Sequence, residues 1–87
     1  MSVDRILPGL YLGDLRAAQN QFTLKSKGVT HILQAMGGFQ PPFKSTFTYK
    51  VLQVMDVPWE NLGKHFWEAA NFIRDCIKSG GTVFVHW

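Results

Sequence analysis

The apolar positions along the chain fall into alternating strand-like and helix-like segments. Ile6-Leu7-Pro8-Gly9-Leu10-Tyr11-Leu12-Gly13 sets two short apolar runs around a Pro-Gly turn, which predicts a small hairpin or a bent edge strand. Asp14 stands where a cap is needed. Leu15, Ala18, Phe22 and Leu24 follow at loosely helical spacing, so one or two short helices are expected, with Asn20 as a second cap and Gly28 as the stop. Val29-Thr30-His31-Ile32-Leu33-Gln34 is β-branched and apolar enough for a buried strand, and Gly37-Gly38 with Pro41-Pro42 then forces an irregular loop. The next strand is Thr48 to Val54, with Tyr49 and Val51 on one face and Leu52 and Val54 on the other, and Asp56 lies just beyond its end.

The clearest helix is Asn61 to Ser79. Leu62, Phe66, Ala70, Ile73 and Ile77 recur at spacings of four and three, Ala69, Phe72 and Cys76 widen the stripe, and Asn61 is placed as N-cap. Gly80-Gly81 supplies a left-handed residue to end it. Thr82-Val83-Phe84-Val85-His86 then reads as a strand with almost no polar face, which requires cover on both sides; the expectation is that one face and one edge of it stay uncovered. Strand, long helix and strand again is the pattern of a parallel βαβ unit with a right-handed crossover, so the class is α/β. Open parallel sheets carry their chemistry at the carboxyl ends of strands, and those ends hold Asp56 and the pair His86-Trp87.

Composition narrows the function classes. Eighty-seven residues make one domain at most, and 46% hydrophobic with 14% aromatic residues is globular rather than disordered. The apolar runs are too short to span a membrane as a helix. Nine Lys+Arg against six Asp+Glu give +3, and the basic residues are scattered, so no nucleic-acid partner is expected. One cysteine excludes an internal disulfide; with no basic-then-apolar leader and no Gly at position 2, the expected setting is cytoplasmic or nuclear. The three His residues and Cys76 show no zinc-ligand spacing, so neither metal nor cofactor is expected, and Cys76 on the helix stripe reads as a small buried side chain rather than a nucleophile. Phe39, Phe43, Phe47, Trp59 and Trp67 read as core in the main.

In order and spacing these segments resemble the first part of a dual-specificity protein phosphatase domain, within the cysteine-dependent phosphatase superfamily. Ile6 to Gly13 is similar to that family's opening strand and Gly28-Val29-Thr30-His31-Ile32-Leu33 to its next. Asp56 with Phe66, Ala69, Ala70, Phe72 and Ile73 resembles its acid loop and helix, and Gly80-Gly81-Thr82-Val83-Phe84-Val85-His86 the strand entering its signature loop. The resemblance implies a partial phosphatase fold, a mixed or parallel sheet with flanking helices, over residues 1–87. It implies Asp56 as general acid, His86 as a supporting residue that orders the loop, and a phosphoprotein substrate carrying phosphotyrosine or phosphoserine/threonine.

In the family the next residues are Cys, five others and Arg. A phosphate ester is a dianion, so backbone amides, an Arg fork and a helix dipole hold its oxygens while a thiolate attacks phosphorus. Here Trp87 stands in the place of that Cys, and an indole N–H is only a donor. Two expectations follow: a truncated phosphatase domain that is catalytically silent as it stands, or a non-catalytic, pseudophosphatase-like binding module.

Overall fold

The computed structural model describes residues 1–53 and 63–87. The first strands, β1 (Val3–Leu7) and β2 (Leu10–Gly13), form the expected hairpin, with Pro8 and Gly9 at the turn. Two short helices follow, α1 (Leu15–Ala18) and α2 (Gln21–Ser26). Then come β3 (His31–Gln34), β4 (Thr48–Val51), the long helix α3 (Gly63–Lys78) and β5 (Val83–His86). The expected Asn61 cap, together with Leu62, Val54, Asp56 and Trp59, falls outside the described residues.

Both predicted caps of the short helices are made. Asp14 Oδ1 accepts from Ala17 N at 2.9 Å and Asn20 Oδ1 from Thr23 N at 3.0 Å, satisfying donors that a first helical turn leaves open. The long helix ends on a Schellman arrangement: Gly80 N donates to Ile77 O at 3.0 Å and Gly81 N to Cys76 O at 2.9 Å, with Gly80 at φ +88°. That conformation strains any residue with a Cβ, which is why glycine stands there.

The sheet order is β1-β2-β5-β3-β4, antiparallel between β1 and β2 and parallel in every other pair. The crossover from β4 through α3 to β5 therefore skips over β3 rather than joining neighbours. It also corrects the expectation for the last strand. β5 is central, paired with β2 on one edge and β3 on the other, and Val83, Phe84 and His86 are buried.

Alternation along the strands divides the core into two layers. Ile32 and Phe84 pack with Ala17, Ala18, Leu24, Val29 and Phe47 under the short helices. On the other face Leu33, Val83 and Leu52 pack with Cys76, flanked by Ala69, Phe72, Ile73 and Ile77 of α3. Two apolar residues depart from the expected stripes. Phe22 is 82% exposed, because Ala17, Ala18 and Leu24 supply the buried faces of the short helices. Phe66 is exposed as well, its ring meeting that of Trp67 edge to face at 4.9 Å. Among the aromatics expected as core, Phe47 is buried and Phe43 packs against it, whereas Trp67 is exposed.

Candidate functional site

The carboxyl ends of the parallel strands come together in one row: Gly13 of β2 opposite His86 of β5, and His86 opposite Gln34 of β3, which in turn faces Val51 of β4. Paired residues of adjacent strands point to the same face. The row thus gathers a glycine and two polar side chains at the point where a loop following β5 would begin.

Gly13 lets the row close. A Cβ on it would lie 2.6 Å from the Phe84 ring and 2.7 Å from the Ser2 carbonyl oxygen, and the backbone oxygen cannot be moved by a rotamer change. Phe84 thereby fills the space under His86, ring centroids 6.0 Å apart at 31°, and Phe39 meets the same imidazole edge-on at 6.4 Å and 85°. His86 is only 1% exposed. The ring is enclosed between two aromatic rings, its Nδ1 buried with no hydrogen-bond partner. Removal from water disfavours the imidazolium, so burial pulls the His86 pKa below its ordinary value.

Gln34 was legible in the sequence only as the polar end of an apolar strand. The structure buries it completely beside His86, and its Nε2 donates to Met36 O at 3.1 Å and Phe39 O at 2.7 Å. Those two bonds fix the loop that carries Phe39. The signal that marks it is a polar residue closing a buried strand just ahead of Gly37-Gly38.

Around the row lie two concave surfaces. A groove of about 600 Å³ runs along β4 and the loop before it, with Phe39, Pro41, Lys44 and Tyr49 in its walls. A smaller pocket of about 230 Å³ lies between Trp87, Gly13 and the Ser2–Asp14 contact, in which Asp14 Oδ2 accepts from Ser2 N at 2.9 Å. Trp87 itself is 65% exposed.

The other sequence candidates separate clearly. Cys76 is buried on α3, on the face of the sheet opposite to His86, and burial pushes its thiol pKa up, the reverse of what a nucleophile needs. Asp56 lies outside the described residues. Among the described residues no three His, Cys, Asp or Glu side chains gather as metal ligands, and no helix is long and apolar enough to cross a membrane.

Comparison with known proteins adds a consistent set of likenesses. The chain is 44% identical over 78 residues to dual specificity protein phosphatase 1 of Arabidopsis thaliana, a match covering 90% of this chain and 39% of the relative. The crystal structure of DUSP15 superimposes with a TM-score of 0.88 at 37% identity, covering 97% of this chain and 53% of the other. The human tyrosine phosphatase-like serine/threonine/tyrosine-interacting protein gives a TM-score of 0.84 at 34% identity, covering 97% of this chain and 60% of the other. No protein-family model matches. The chain spans less than two thirds of each of these three proteins.

Proposed function

We propose that this chain, which belongs to the dual-specificity protein phosphatase family and spans part of its relatives' length, provides the sheet and acid-loop half of a phosphoprotein phosphatase domain. In this reading residues 1–87 are an incomplete domain that does not hydrolyse phosphate esters by itself. The observation that carries it is the row at the carboxyl end of β5. A buried, aromatic-clamped His86 is held by two neighbouring parallel strands, so whatever follows it enters at a fixed point and direction.

The chemistry divides accordingly. A Cys-loop-Arg segment supplies the thiolate and the oxyanion donors. This chain supplies Asp56 as the acid that protonates the leaving oxygen and then helps water to attack the phosphocysteine, and His86 as the residue that orders the loop. Substrates are proteins phosphorylated on tyrosine or on serine and threonine. The residues present hold one cysteine, buried away from the row, and Trp87 has no nucleophilic atom. Assay of the purified chain on a phosphotyrosine peptide and on p-nitrophenyl phosphate is expected to give no turnover. Turnover that Cys76→Ser abolishes would sink this reading.

A second reading is a pseudophosphatase-like binding module. The likeness to a tyrosine phosphatase-like interacting protein favours it, as does the closed pairing of β5, which leaves neither of its edges open. It requires the 87 residues to fold cooperatively alone. A single sharp thermal transition supports a module, and a broad aggregating profile excludes one.

A further inference from the structure

The sheet order leaves β4 paired on one edge, since among the described residues it bonds to β3 and to no other strand. Thr48 N donates to Thr30 O at 3.0 Å and Leu52 N to Gln34 O at 2.8 Å, so the even-numbered residues turn their backbone groups toward β3. Those groups alternate in side along a strand, and the N–H and C=O of Tyr49 and Val51 therefore point out of the open edge. Among the described residues no hydrogen bond reaches them. Each of the two residues offers a donor and an acceptor there, at the spacing of a strand.

The open edge borders the groove of about 600 Å³, into which Tyr49, Val51 and Gln53 contribute from one side and Phe39, Pro41 and Lys44 from the other. Phe39 lies against His86, whose row ends in Val51, while Lys44 belongs to the turn that leads into Thr48. One end of the groove is thus apolar and the other carries a cation. Lys44 is exposed, and among the described residues it is the one charged side chain of the groove and has no ion-pair partner. Sheets often guard an open edge with a lysine. The lysine of β4 itself is engaged elsewhere: Lys50 Nζ lies 2.7 Å from Glu68 Oε2 of α3, on the face opposite to the groove.

We propose that the open edge of β4 docks an extended segment of a partner protein, which adds as a further strand and places an acidic and an apolar side chain, both on its groove-facing side, at Lys44 and at Phe39 with Pro41. Free backbone donors and acceptors at strand spacing are matched by an extended chain, and the groove reads its alternate side chains. A second copy of this chain is a poorer match, because its own β4, Thr48–Val51, carries a lysine and no carboxylate to meet Lys44. The site uses none of the groups of the phosphatase reading and stands or falls apart from it.

The probes are two fluorescein-labelled peptides, Thr-Val-Leu-Thr-Glu-Val-Thr-amide and the same peptide with Leu and Glu exchanged, one for each strand direction. They are titrated against the full chain by fluorescence polarisation. One of the two is expected to bind, and to slow hydrogen exchange of the Tyr49 and Val51 amides by about tenfold or more. Methylating alternate backbone nitrogens of that peptide should weaken binding by about tenfold or more for one alternate set and leave it within about twofold for the other. Lys44→Glu is expected to weaken binding by about threefold or more, with a loss that shrinks as salt rises. Val51→Pro deletes an outward N–H and no bond to β3, so it should bind about tenfold more weakly than Val51→Ala. Binding by neither peptide at about 1 mM overturns the proposal. So does equal sensitivity to both methylated sets, or a Lys44→Glu chain that binds unchanged. Self-association of the chain that Val51→Pro abolishes would assign the edge to a second copy and overturn it as well. Should Val51→Pro not fold, the methylated peptides decide on the unmutated chain.

Discussion

At the residue scale, the row at the end of the sheet depends on one missing side chain and one buried ring. Gly13→Ala drives a Cβ into the Phe84 ring and the Ser2 carbonyl oxygen, at 2.6 and 2.7 Å. Overpacking of this kind costs about 1–3 kcal/mol, so urea denaturation is expected to show a lower midpoint with an unchanged slope. His86 predicts a pH dependence. An unfolded histidine binds its proton near the ordinary value of 6.5, whereas the buried ring binds one only at lower pH. The unfolded state thus holds more protons as pH drops below about 6.5, and stability falls through that window until the folded-state pKa is passed. Denaturant midpoints measured from pH 7.5 down to 5 are expected to decline in the unmutated chain and to decline less in His86→Gln; equal slopes would contradict the burial effect.

The sequence pattern showed His86 as a strand-end histidine but not its enclosure. That depends on Phe39, which arrives from a loop whose path is set by Gln34 and by no periodicity of its own. Asp56 shows the opposite case. Its reading as the acid rests on resemblance alone, because sequence spacing has no rule that distinguishes an acid catalyst from a turn residue.

At the element scale, local chemistry fixed most boundaries. Asp14, Asn20, Gly28 and Gly80 each act where their residue types favour caps, because cap geometry is decided within a few residues. Asn20→Ala is expected to cost about 1 kcal/mol by thermal or urea unfolding, with no dependence on pH. Asp14→Asn is expected to differ in just that respect. The Ala17 amide lowers the Asp14 pKa most, and with the Ser2 amide it outweighs the opposing effect of desolvation, so its contribution is present above about pH 3.8 and is lost as pH falls through the lower folded value. The amide keeps an acceptor at both pH extremes. Unfolding midpoints of the two chains should therefore converge on acidification, and parallel curves would show that the carboxylate charge contributes nothing.

Strand order was the part that local pattern could not give. The apolar run Val83 to Val85 reads equally well as an edge strand awaiting cover or as a central one. The neighbours that decide, β2 and β3, lie far away in sequence. The exposed Phe22 and Phe66 have the same cause. Spacing identifies a helical face, but the partner surface determines how much of that face is buried.

At the scale of the whole molecule, the fold gathers Gly13, Gln34 and His86 at one end of the sheet and sets Cys76 on the opposite face. Both faces of the sheet are served by helices, the central strand is paired on both edges, and its carboxyl end holds His86 buried beside Gln34. The family resemblance read from ordered motifs and the likeness in fold agree over nearly the whole chain, while the chain spans about half of the solved structures it matches.

The most direct measurement is kinetic. Trp87→Cys, followed by the Cys-to-C-terminus half of a homologous dual-specificity phosphatase domain, is assayed on a phosphotyrosine peptide beside the same chimera carrying Asp56→Asn. The chimera is expected to hydrolyse the peptide, and loss of the Asp56 acid to lower kcat by about 10²–10⁴-fold. A folded chimera that stays silent, or one whose kcat is indifferent to Asp56, would contradict the claim that these residues form the receiving half of a phosphatase site.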